Sequence, residues 1–89
     1  MKLWMKTVLG EKITRSLVYQ ATTVDEDTFE ICLREMCHTL DVPTPIVTSV
    51  NVSHFLTFNV VKFKPRDFIE SVDFDFLEVE FVRENKKNR

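Results

Sequence analysis

Val24-Asp25-Glu26-Asp27-Thr28-Phe29-Glu30-Ile31-Cys32-Leu33-Arg34-Glu35-Met36-Cys37-His38-Thr39-Leu40 is the stretch on which the fold turns. Phe29, Cys32, Leu33, Met36, Cys37 and Leu40 recur at helical spacing and make one continuous apolar stripe. Acidic residues crowd the start, where the positive end of the helix dipole favours them, and Asp25 or Thr23 can accept hydrogen bonds from the free backbone N–H groups. Pro43 and Pro45 cannot continue a helix, and each pushes the residue before it towards extended geometry. The spacing therefore predicts an amphipathic helix over about 25–41, which must bury its stripe against something else.

The flanks supply the partner surface. Upstream, Gly10-Glu11 separates Lys6–Leu9 from Lys12–Thr22, and the second stretch alternates Ile13, Leu17 and Tyr19 on one side. Its Thr, Val and Tyr residues favour a strand, half of a hairpin, over a helix with Ile13, Leu17, Val18 and Ala21 inward. Downstream, Val42–Val61 contains no Asp, Glu, Lys or Arg, and charge avoidance on that scale predicts burial. Val50, Val52, Leu56, Phe58 and Val60 alternate with Asn51, Ser53, Thr57 and Asn59 as in a half-buried strand. Equally, Thr48 or Ser49 can cap a short helix with Val52, Phe55 and Leu56 inward, so the 48–60 region stays open between the two.

Beyond Pro65, the run Arg66–Glu70 suits a helical turn with proline in its first position. Val72–Val82 then reads as a strand. Phe74 and Phe76 share one parity while Leu77, Val79 and Phe81 share the other, which predicts a bend or bulge near Phe76 or a strand covered on both faces. The charged 84–89 stretch reads as a frayed tail.

Composition bounds the function. The 89 residues suit one small domain, 1–89, with 44% hydrophobic residues, a single Gly, and eight Phe against one Trp and one Tyr. Twelve basic and fourteen acidic residues leave a net charge of -2, not the footprint of a dedicated nucleic-acid or acidic-membrane binder. No apolar run has the length of a signal peptide core or a membrane span. Two cysteines without an export signal point to a cytoplasmic protein with free thiols rather than a disulfide. Met5 offers an alternative start, which would make Met1–Trp4 an extension of little structural weight.

Four constellations could carry chemistry. Cys32, Cys37 and His38, with His54, are zinc-type ligands, but residues five apart on a helix diverge, so the two thiols suit the core better than one ion. A nucleophilic Cys37 beside His38 meets the same objection. Asp67, Glu70, Asp73, Asp75, Glu78 and Glu80 could hold a cation or form an acid–base pair, although alternation with Phe74, Phe76, Val79 and Phe81 is also what the wet face of a strand produces. Lys62, Lys64 and Arg66 could contact phosphates, although lysines equally protect an edge strand from pairing with another molecule. His54, the one ionisable group in the uncharged stretch, suits a mostly buried, hydrogen-bonded neutral ring.

These readings converge on an α+β fold in which the main helix packs on a small, mostly antiparallel sheet. No catalytic residue, metal or cofactor is assigned. The excess of apolar residues favours a non-enzymatic interaction module whose partner is itself, as a homodimer, or another protein. The alternatives are a nucleic-acid-binding module on Lys62, Lys64 and Arg66, and a small enzyme or metal-binding protein that joins His54 to the C-terminal carboxylates.

Overall fold

Lys2–Leu9 (β1) and Lys12–Gln20 (β2) form an antiparallel hairpin that turns at Gly10 and Glu11. Gly10 sits at φ 65°, a left-handed conformation that costs glycine little. Its N–H donates to the Asp75 carboxylate at 2.8 Å. The computed structural model describes residues 1–83, so the 84–89 stretch lies outside them. After the hairpin come helix α1 (Phe29–Leu40), helix α2 (Ser49–Phe58), strand β3 (Val60–Phe63), a single 3-10 turn (Pro65–Asp67) and strand β4 (Phe76–Val82). The sheet is antiparallel throughout, in the order β2-β1-β4-β3, which leaves β2 and β3 as its edges.

Strand register sorts the side chains by face. Leu3, Met5 and Thr7 stand opposite Tyr19, Leu17 and Arg15 on one side and Phe81, Val79 and Leu77 on the other. Val61 and Phe63 continue that face across β3. Both helices cover it, and the core joins Leu3, Met5, Val61, Phe63, Leu77 and Val79 of the sheet to Phe29, Cys32, Leu33, Met36, Cys37 and Phe55 from the helices. The Phe29 and Phe55 rings join α1 to α2 at 4.9 Å between centroids. The architecture is the expected α+β arrangement of helix on sheet.

Helix α1 begins at Phe29, with the first residue of the apolar stripe, rather than at about 25. Asp25 does accept from backbone N–H groups, those of Asp27 at 2.9 Å and Thr28 at 3.0 Å, while Thr28 holds the N-cap position without a side-chain bond to the helix. These bonds hold 25–28 as a turn ahead of the helix proper and keep the exposed Asp25 carboxyl below the usual carboxylate range. At the other end Asp41 closes the helix in a left-handed conformation, with Val42 donating to the Cys37 carbonyl at 3.0 Å.

Four local expectations need correction. Met1–Trp4 is no loose extension: Lys2–Trp4 lies within β1, Leu3 is fully buried, and Met1 and Ala21 exchange hydrogen bonds of 2.8 and 3.0 Å. The last strand starts at Phe76 rather than Val72. Phe74 is buried from a bend, where its ring meets Phe68 edge-on at 5.5 Å, so of the expected alternatives the phase change is the bend, at the entry to the strand, and not a bulge inside it. Ile13 leaves the side of Leu17 and Tyr19 and points to the face that no helix covers, because an extra residue near Thr14 shifts the register between Thr7 and Val8. The uncharged Val42–Val61 stretch is mostly exposed, with only Val42, Pro45, Phe55 and Val61 buried.

Candidate interaction surface

The 48–60 region resolves to a helix, and its ends explain why. The Thr48 hydroxyl accepts from the Asn51 N–H at 3.3 Å while the Asn51 side-chain oxygen accepts from the Thr48 N–H at 2.9 Å, a reciprocal cap. At the far end Asn59 turns left-handed at φ 66° and donates to the Phe55 carbonyl at 2.7 Å. Asn tolerates that conformation better than a branched residue does. The chain then reverses straight into β3, which fixes α2 beside the sheet edge.

Helix α2 carries no Asp, Glu, Lys or Arg and sets five apolar residues among five polar ones, yet buries only Phe55. Val50 is 73% exposed, Phe58 62% and Leu56 40%. Val50, Leu56 and Phe58 are therefore apolar side chains that the monomer leaves open to water. Val50, His54 and Phe58 stand one turn apart on one ridge, and the His54 ring packs against Phe58 at 4.7 Å between centroids. The expected burial of His54 is thus corrected: its ring is exposed. Between this ridge and β3 runs an open groove lined by Val50, Asn51, His54, Val60, Lys62 and Glu78.

The edge of β3 is legible from its hydrogen bonds. Phe81 donates to the Asn59 carbonyl at 2.8 Å, and the register pairs Val61 with Val79 and Phe63 with Leu77. Peptide groups alternate sides along an antiparallel pair. Hence the Asn59 carbonyl and the N–H and C=O groups of Val61 and Phe63 turn to β4, and Val60 and Lys62 turn theirs to the open edge.

The uncovered sheet face carries Trp4, Val8, Phe76 and Val60 around a charged centre. Lys6 is only 9% exposed. Its ammonium lies 3.1 Å from Glu80, 3.6 Å from Glu78 and 3.5 Å from the Trp4 ring centroid. Lys62 lies 4.7 Å over the Phe76 ring. Both rings are already covered by ammonium groups and two carboxylates occupy the centre, an arrangement that leaves neither ring bare for a base to stack on.

The remaining sequence candidates are placed separately. Of Lys62, Lys64 and Arg66 only Lys62 lies in a strand; Lys64 and Arg66 are exposed in the turn after it, where the Lys64 N–H donates to the Asp67 carboxylate at 2.8 Å. The acidic residues are dispersed: Asp67 caps that turn, Asp75 holds Gly10, and Glu78 and Glu80 hold Lys6. Glu70 and Asp73 are exposed in the loop before β4, so Asp73 and Asp75 do not share a strand face. Cys32 and Cys37 are buried free thiols, and burial pushes the Cys37 thiol up to about 11. His38 lies exposed on α1, and no group of three or more His, Cys, Asp or Glu among the described residues is arranged to hold a metal. His54 and Glu78 line one groove, and Glu78 is among the C-terminal carboxylates that the enzyme alternative set beside His54. Val50 and Phe58 were missed as surface residues because an uncharged run reads as buried, although their spacing from His54 on a helix already separates them from Phe55.

No protein-family model, curated protein or solved structure matches the chain. Among the described residues no helix is long and apolar enough to cross a membrane.

Proposed function

We propose that this chain is a non-enzymatic protein-interaction module that works by self-association, and that it binds through the face formed by α2 and the edge of β3. One observation carries the reading: α2 has no charged side chain, yet Val50 and Phe58 are more exposed than buried. Apolar surface in that arrangement, next to a free strand edge, gains by being covered. The carboxylates favour the same reading over catalysis, since Asp67, Asp75, Glu78 and Glu80 already serve caps and ion pairs. Buried free thiols fit a reducing compartment such as the cytoplasm.

The test is solution mass by light scattering across a concentration series at two salt strengths. Self-association gives a mass that rises to a plateau at the dimer and that salt leaves intact, because apolar contact and backbone hydrogen bonds hold it. A strict monomer at every concentration overturns the reading.

A further inference from the structure

Resting on that reading, we propose that the occupant of the α2–β3 face is a second copy of this chain, whose β3 pairs antiparallel with β3 about a two-fold axis at Val61 to make one continuous eight-stranded sheet. The register follows from which groups are free. Val60 and Lys62 are the residues of β3 with outward N–H and C=O groups, as the Asn59–Phe81 bond and the Val61–Val79 pairing require. An axis at Val61 sets Val60 opposite Lys62 of the partner subunit, and every outward group on both strands finds its complement. An axis at Lys62 instead sets two lysines directly opposite each other, which is unfavourable. An axis at Val60 runs the pairing into Phe58, which is helical.

Charge placement agrees with an open edge. A lysine that guards a strand edge projects across it, but the Lys62 ammonium folds back over the Phe76 ring on the neighbouring strand, 4.7 Å from its centroid. It thereby leaves the edge clear. The opposite edge is less suited. Strand β2 carries Lys12 and Arg15, and its register is broken by the irregularity opposite Thr7 and Val8. Pairing β3 with β2 of another copy would leave a free edge at each end and build an open chain, whereas β3 on β3 closes at two.

The helices complete the surface. The two-fold axis keeps both α2 helices on the same face of the sheet, one on either side of the joined strands. Val50 and His54, which line the groove on the β3 side of α2, then face the junction, and the otherwise uncovered ridge becomes the core of the interface.

The experiment uses the full chain. Lys62→Pro removes an outward N–H without touching the ladder to β4, and Val50→Asp places a charge in the joined ridge while leaving the monomer's core intact. Val18→Lys, on the far edge, and Ile69→Asp, at a residue 87% exposed in the loop before β4, are the controls. Sedimentation is expected to show the dimer dissociation constant raised at least about ten-fold by each of the first pair, the size of one lost hydrogen bond or one desolvated charge, with the controls unchanged. The double variant Val60→Cys/Lys62→Cys, oxidised, is expected to run as a covalent dimer that a reductant separates. A dimer unaffected by Val50→Asp, or weakened equally by Val18→Lys, overturns this interface while leaving self-association standing. A chain that is monomeric throughout overturns both.

Discussion

The Tyr19 hydroxyl on β2 donates a hydrogen bond to the Glu35 carboxylate on α1, joining the outer strand of the hairpin to the helix that covers it. Glu35 raises the phenol to about 12 through that bond, since ionising the phenol would set two negative charges together. Absorbance titration of this chain's single tyrosine should therefore show ionisation well above its ordinary value of 10. Glu35→Ala should bring it back towards 10. An unchanged midpoint in the variant would mean that the contact is absent in solution.

Alkali should weaken the fold through Cys37. Its folded thiol ionises near 11 against an ordinary 9, because burial disfavours the thiolate. A group whose folded value is raised contributes stability that is complete below the unfolded value and lost as pH rises through the folded one. Denaturant midpoints should thus hold steady below about pH 9 and fall between 9 and 11, and Cys37→Ala, a smaller but non-ionising residue, should show less of that fall. The thiol should also react with alkylating agents far more slowly in the native chain than in denaturant.

The caps offer a comparison of two helices with unequal support. Asp25→Ala removes the acceptor for two backbone N–H groups and should cost about 1 kcal/mol by chemical denaturation. Thr48→Ala should cost about as much, but with a further sign: α2 buries only Phe55, so the loss should appear first as faster amide exchange within 49–58, ahead of global unfolding. Equal protection of α1 and α2 in the Thr48 variant would contradict that picture.

How much of this was legible in the sequence depends on what each residue's neighbours are. Helix α1 was readable because its stripe packs on a single sheet face, so 3.6-residue spacing and burial coincide. The hairpin was readable because Gly10 stands between two β-rich runs. Helix α2 was ambiguous because its apolar residues alternate with Asn, Ser and Thr as a strand's would, and the arbiter was the Thr48–Asn51 cap, whose two residues the sequence does contain. The candidate surface was the least legible part. Exposure of Val50 and Phe58 depends on α2 lying over the last strand of the sheet, and strand order is a long-range property: β4 enters between β1 and β3 through pairings such as Leu3 with Phe81 that no local pattern encodes. Lys6 shows the same limit, for nothing near it in sequence announces that Glu78 and Glu80 will flank it.

That lysine supports the last expectation. Its ammonium is mostly withdrawn from water among Glu78, Glu80 and the Trp4 ring, so removing it strands two neighbouring carboxylates on a partly apolar sheet face. Lys6→Met keeps most of the aliphatic volume and should destabilise the chain by about 1–3 kcal/mol, the range for a partly desolvated charge left unpaired. Exposed ion pairs are worth much less and fade with salt; Glu80, the more open partner at 42% side-chain exposure, should accordingly tolerate Glu80→Gln with a loss below about 1 kcal/mol. The only tryptophan reports on the same site, so its emission should shift in Lys6→Met and stay close to native in Glu80→Gln. If the two variants lose equal stability, the burial of Lys6 carries no special weight, and the charged centre of the open sheet face behaves as ordinary surface.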